Sequence, residues 1–274
     1  MFKKLLTNIF FLLITSNQFY PLKKACTEIF ISSKDTVKYL VVKISLEKDW
    51  HIYWINSGDS GMPTEITLEL PPGISIQETY WATPKKFESD GLVSYGFENI
   101  TIILIKLPEY LNSITNNTLV LKINSLICKE VCIPYDTIIT FQINDLDIID
   151  DLENYLSINK IHFPKASPNL FLSADTDNEK VILKISNHNF IDKILDIYFY
   201  PYISGVFKNL SKQNFYIDNE SVKLELPFDP FKTHSPDKVS GILYFKTINS
   251  YDEKKIIQES YEISFNINHK QIKE

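Results

Sequence analysis

Arginine is missing from this chain: all 28 basic residues are lysine. Without the planar guanidinium fork that grips phosphate from two sides, and with a net charge of −6 and a pI near 5.5, nucleic acid is not expected as a partner. Methionine is scarce as well. Met1 and Met62 alone supply too few thioethers for a dedicated copper site. Beyond the N-terminus there is no second long apolar run, so no stable membrane span is expected once a leader is removed. What remains is globular composition, 44% hydrophobic and 23% charged over 274 residues, with enough apolar material for two cores.

The first residues, MFKKLLTNIFFLLITSNQ, place Lys3 and Lys4 before an apolar stretch, Leu5 to Ile14, that breaks into Thr15, Ser16, Asn17 and Gln18. A membrane anchor needs about 20 apolar residues, and this run stops short of that length. The pattern predicts a secretion signal over residues 1–20. No A-x-A marks the cleavage point. An end at Ala25 would leave Cys26 first, but Lys23 and Lys24 stand where a lipoprotein signal carries small and apolar residues.

From residue 28 short alternating runs are separated by turn residues: VKYLVVKISL (37–46), TEITLEL (64–70), NITIILIKL (99–107) and NTLVLKINSL (117–126). Asn56, Gly58, Asp59 and Gly61 form one turn cluster, Pro71, Pro72 and Gly73 a second, Asn116 and Asn117 a third. Strands at this spacing predict a β-sandwich over residues 27–147. Ile149, Leu152, Tyr155 and Leu156 then recur at helical spacing behind Asn144 and Asp145 as caps, giving a short helix and linker over 148–167. Six more alternating runs predict a second sandwich over 168–268. The fold class is all-β: two immunoglobulin-like sandwiches joined by a short helix and linker.

Chemistry concentrates in NSLICKEVCIP (124–134), where Cys128 and Cys132 stand four apart. A straight strand would hold their α-carbons about 13 Å apart, and a disulfide tolerates no more than about 7 Å. A bonded pair therefore requires the chain to turn back through Lys129, Glu130 and Val131. Three readings stand. As a structural clip, so small a loop stabilises by only about 2 kcal/mol in the chain-entropy estimate. As a copper or zinc half-site, the pair lacks nearby ligands, His51 being the nearest histidine of that domain. As a redox pair outside the reducing cytosol, it would make and break its bond as its function. Lys129 favours a thiolate and Glu130 opposes it, so neighbouring charge does not decide which cysteine attacks. Cys26, the odd cysteine of the three, reads as a stray thiol or the end of the signal region, with no catalytic role and an intermolecular disulfide open to it. Trp50, Tyr53, Trp54 and Trp81 read chiefly as core, and the GDSG turn (58–61) lacks the G-x-S-x-G elbow of a serine hydrolase.

Three separated motifs, WHIYWINSGDSGMPTEITLELPPGI (50–74), WATPKKFESDGLVSYGFEN (81–99) and SLICKEVCIP (125–134), occur in an order that resembles the N-terminal periplasmic domain of DsbD-type protein-disulfide reductases, the ScsB-like branch in particular. DIYFYPYISGVFKN (196–209) and VSGILYF (239–245) carry a looser likeness in the second half. The resemblance implies an immunoglobulin-like domain in the periplasm with Cys128 and Cys132 as its redox-active pair, and Tyr95, Gly96 and Phe97 in a cap loop that shields the sulfurs. It also implies a thioredoxin-like or membrane-embedded electron donor, oxidised periplasmic proteins as acceptors, and no cofactor. Because the chain stops at Glu274 where such proteins usually continue into membrane and thioredoxin-like domains, the donor is expected on a separate protein. The rival is a non-catalytic binding or assembly module with a structural disulfide.

Overall fold

The structure, a computed structural model, describes residues 24–32, 37–70, 74–76, 78–108, 111, 118–166, 170–177, 179–186, 194–218, 221–232, 236–248 and 255–269. The secretion signal expected over 1–20 lies outside them, as do the turns at 71–73 and 116–117. The first sandwich comprises β1 (Ala25–Ser32), β2 (Tyr39–Leu46), β3 (His51–Gly58), β4 (Glu65–Leu70), β5 (Ile74–Ile76), β6 (Thr79–Trp81), β7 (Lys85–Ser89), β8 (Leu92–Glu98), β9 (Ile100–Lys106), β10 (Thr118–Asn124), β11 (Leu126–Cys128), β12 (Cys132–Pro134), β13 (Thr137–Gln142) and β14 (Ile148–Ile149). Three sheets form, in the orders β14-β1-β2-β9-β6, β13-β10-β4-β5 and β12-β11-β3-β8-β7.

Burial follows the sequence pattern. β10 alternates, with Leu119, Leu121 and Ile123 in the core and the residues between them turned outward. β9 is apolar almost throughout because both of its faces are covered: Ile103 and Ile105 enter the main core, while Ile102 and Leu104 join Val41 and Ile149 beneath an α-helix. That helix, α1 (Leu152–Ile158), lays Leu152, Tyr155 and Leu156 on this outer face. It starts later than the residue spacing predicts. Asn144 and Asp145 form a 3-10 turn, Ile148 and Ile149 pair in parallel with β1, and Asp151 caps the helix by accepting from Asn154 N at 3.0 Å. A carboxylate one residue before the helical run satisfies an orphan N–H that Asp145 lies too far back to reach.

The second sandwich comprises β15 (Lys165–Ala166), β16 (Phe171–Thr176), β17 (Lys180–Ser186), β18 (Ile194–Pro201), β19 (Phe215–Ile217), β20 (Val222–Pro227), β21 (Lys238–Ile248) and β22 (Ile256–His269). β22 joins its two halves: Ile256 to Asn266 pair with β21, and Ile267 to His269 pair in parallel with β16. Residues of both halves, among them Leu183, Leu224, Phe199, Leu243 and Phe265, fill one core. The sandwiches also share apolar surface. Tyr200 and Ile242 of the second are buried within the core of the first, with Tyr198, Tyr202 and Tyr244 packed against it.

Candidate functional site: an edge disulfide on an aromatic strand face

β11 and β12 form a hairpin in which Cys128 lies opposite Cys132, closed by Lys129 N donating to the Val131 carbonyl at 3.2 Å. The two sulfurs are bonded and the α-carbons are 4.1 Å apart. The hairpin sits at the edge of its sheet, so the two cysteines differ in environment. Cys128 is 2% exposed, whereas Cys132 and its neighbours Val131, Ile133 and Pro134 are on the surface. Lys129 is ion-paired with Asp49 at 3.1 Å, on the outside of the bend.

β11 continues onto β3 with Cys128 opposite His51 and Ile127 opposite Ile52. Since successive side chains of a strand point to opposite faces, Cys128, His51 and Tyr53 share one face and Ile127, Ile52 and Trp54 turn to the core. Tyr53 uses this placement. Its hydroxyl donates to Cys128 Sγ at 3.2 Å and lies 3.8 Å from Cys132 Sγ. His51 sets its ring edge-on to Tyr53 at 5.2 Å and stacks on Phe87 at 5.1 Å. Burial pushes the Tyr53 phenol up from its ordinary value, so it stays a donor, and burial pushes the His51 imidazolium down, with Glu98 opposing.

Tyr53 is fixed from behind. Thr64 Oγ1 donates to the Tyr53 carbonyl at 2.5 Å and shares a hydrogen bond of 2.6 Å with Ser125 Oγ, tying β3 to the start of β11. Gly61, at φ +87°, lies against the Tyr53 ring where a Cβ would collide with it. The turn that carries Gly61 is pinned by Asp59, whose N donates to the Val93 carbonyl at 2.7 Å and whose Oδ2 accepts from Val93 N at 2.9 Å. The GDSG residues thus build the wall behind the tyrosine.

Tyr95, Gly96 and Phe97, expected as a cap loop, lie inside β8. Gly96 is opposite Tyr53 and Phe97 opposite Ile52, so the pleat sends the Tyr95 and Phe97 rings to the core face, away from the sulfurs. Phe97 stacks with Trp81 at 6.4 Å, and the Tyr95 hydroxyl meets Tyr198 at 2.9 Å and donates to Asn209 Oδ1 at 3.0 Å in the second sandwich. The aromatic groups on the cysteine face are His51, Tyr53 and Phe87. Their signal in the sequence is the two-residue spacing of His51 and Tyr53, which places both on one side of a strand; Phe87 carries no comparable mark. Trp50, Trp54 and Trp81 are buried as core, and Tyr53, equally buried, is also the residue at the sulfurs. Cys26 lies on β1, opposite Ser45 of β2, well apart in the sheet order from the hairpin. Among the described residues no group of three His, Cys, Asp or Glu stands close enough to hold a metal ion, and no helix is long and apolar enough to cross a membrane.

Fold and site together define an immunoglobulin-like domain whose small disulfide hairpin forms part of the edge of one sheet. Residues 16–143, which take in the first sandwich, match the family model for the N-terminal domain of the thiol:disulfide interchange protein DsbD. The crystal structure of the N-terminal periplasmic domain of ScsB from Proteus mirabilis has the same fold, with a TM-score of 0.60 at 14% identity over 89% of this chain and 94% of that one, so the likeness takes in both sandwiches. The reduced N-terminal domain of Neisseria meningitidis DsbD aligns with 44% of this chain and 87% of its own at 13% identity, with a TM-score of 0.32. No curated protein matches the chain.

Proposed function

We propose that the chain is a periplasmic thiol–disulfide carrier that takes electrons from a thioredoxin-like or membrane-embedded dithiol protein and passes them to oxidised proteins through Cys128 and Cys132. The observation that carries this reading is the asymmetry of the pair: Cys132 is open to a partner, and Cys128 is buried under a tyrosine hydroxyl. A thiolate of the donor attacks Cys132 Sγ, a donor–Cys132 bond forms, the Cys128–Cys132 bond breaks, and its electron pair leaves on Cys128 Sγ. The Tyr53 hydroxyl already points at that sulfur, and a hydrogen bond to a thiolate is stronger than one to a neutral thioether-like sulfur. The donor's second thiolate then attacks its own sulfur in the mixed disulfide, leaving the donor oxidised and the pair reduced. Passing the electrons on reverses the roles: the Cys132 thiolate attacks a substrate disulfide and Cys128 resolves it. Sulfur alone carries both electrons, so the exchange needs no cofactor. Val131, 65% exposed, and Ile133, 37% exposed, flank Cys132 with apolar surface of the kind a docking protein covers. The periplasmic setting is supported by the signal-like N-terminal pattern and by the periplasmic location of the ScsB domain.

Trapping tests the assignment. In the cell envelope, Cys128→Ser should accumulate disulfide-linked adducts through Cys132 on a non-reducing gel, because the attacking sulfur remains and the resolving one is gone. Cys132→Ser should accumulate none. Adducts on Cys132→Ser alone would reverse the roles. With no adducts on either variant, and a potential below about −300 mV, the disulfide is a clip.

A further inference from the structure

Two side chains of the first sandwich, one just before the GDSG turn and one within it, are held by the second. Asn56 Nδ2 donates to the Pro201 carbonyl at 2.7 Å and to the Ile203 carbonyl at 3.2 Å, while its Oδ1 accepts from Gly58 N at 2.9 Å. Asp59 Oδ1 accepts from Asn209 Nδ2 at 2.8 Å. Asn209 is 7% exposed, with its Oδ1 accepting from the Tyr95 hydroxyl, so its orientation is fixed. The chain passes Gly58 between these two anchors and Gly61 two residues beyond Asp59, both at positive φ, and Gly61 bears directly on the Tyr53 ring whose hydroxyl touches Cys128 Sγ.

We propose that the second sandwich is a positioning element for the cysteine pair, acting from Asn209 through Asp59 and the 56–61 turn onto Tyr53. The proposal rests on the carrier reading for its biological purpose, but its physical content is independent of any protein partner. Tyr53 sits at the end of this contact path. A turn released from Asn209 relaxes away from the ring, the hydroxyl loses its fixed aim, and the Cys128 thiolate that must leave loses its donor. Asn209 touches neither sulfur and is a positioning residue.

Dithiothreitol supplies the test, since it reduces an accessible disulfide without any docking: one of its thiolates attacks Cys132 Sγ, Cys128 leaves as thiolate, and the reagent closes into its own cyclic disulfide. In the full chain, Asn209→Leu should slow this reduction roughly threefold or more and raise the pH at which the reduced Cys128 thiolate forms, both in the direction of Tyr53→Phe. In Asn209→Leu combined with Tyr53→Phe the rate should match Tyr53→Phe alone, because both changes remove one hydrogen bond. An unchanged rate and thiolate titration with a lowered melting temperature overturns the proposal, as do effects that simply add. If Asn209→Leu does not fold, Asn209→Asp keeps the volume and the Tyr95 acceptor and sets a carboxylate against Asp59, and the same two readouts decide. Failure of the carrier reading shows elsewhere, as a wild-type protein that traps no partner while its dithiothreitol rate still responds to Asn209.

Discussion

The two sandwiches share an architecture and divide the chemistry unequally. The first carries both bonded cysteines, all three tryptophans and the aromatic strand face, whereas the second carries no cysteine and gives its partner tyrosines, a backbone carbonyl pair and one buried asparagine. An ordinary β-sandwich becomes a candidate exchange domain by three local devices: an edge hairpin that brings one sulfur to the surface, a strand that aims a phenol at the other, and a glycine turn that holds the phenol in place. The second sandwich has edges and aromatics too, but nothing redox-active for them to position. Function here lies in a site grafted on a fold, not in the fold itself.

The sharpest way to break that comparison is to damage the sandwich that has no cysteine. Phe199 is fully buried in the second core, against Phe207 and Phe265. Phe199→Ala should cost roughly 3–5 kcal/mol. All three tryptophans, Trp50, Trp54 and Trp81, lie in the first sandwich, and Trp54 packs at 5.4 Å from Tyr202 and 6.5 Å from Tyr200. Tryptophan fluorescence therefore reports on the first sandwich and, through Trp54, on its interface with the second. If the shared tyrosine interface makes one cooperative unit, the urea midpoint by fluorescence falls together with that by circular dichroism. A fluorescence midpoint that stays put while the dichroism midpoint drops means that the sandwiches unfold separately, and the coupling through Asn209 loses its foundation.

A smaller effect is expected from reduction of the disulfide. The bridge spans a sequence separation of four, and closing so short a loop restrains the unfolded chain by only about 2 kcal/mol. Ile127, Ile52 and the rest of the first core are packed without reference to the bridge. Reduced protein should accordingly stay folded, with an unchanged urea m-value and a modestly lower midpoint. Collapse of the far-ultraviolet dichroism on reduction would mark the bond as structural and return the domain to the binding-module reading.

Much of this contrast was legible in the residue pattern. Two-residue alternation marks β2, β4 and β10, and the separation of Cys128 from Cys132 against the reach of a disulfide dictates a hairpin for a bonded pair. What was not legible depends on register. Whether Tyr95 and Phe97 face the sulfurs or the core is decided by which residue of β8 lies opposite Tyr53, and a slip of one residue exchanges the two faces. No local pattern states that pairing. The same holds for Asn209, 150 residues from Asp59, whose neighbours KNLSKQ read as an ordinary polar loop. The helix boundary failed for a simpler reason, five acidic or amide side chains within eight residues, of which Asp151 lies where its carboxylate reaches a free N–H.

The smallest expected effect concerns His51, opposite Cys128 in register and stacked on Phe87. Burial holds its folded pKa below the ordinary 6.5, and Glu98, opposite it on β8 and ion-paired with Lys85, offsets part of that. The unfolded chain therefore binds more protons than the folded one as pH falls through 6.5, and stability declines there instead of rising. Above that range His51 is neutral in both states and contributes nothing to the slope. Melting temperatures should drop more between pH 7.5 and 5.5, each about one unit from that pKa, in the wild type than in His51→Gln, by less than the shift that reduction causes. Equal slopes in the two proteins would mean that the imidazole is solvated as in water, and that the face beside Cys128 is wetter than its aromatic packing implies.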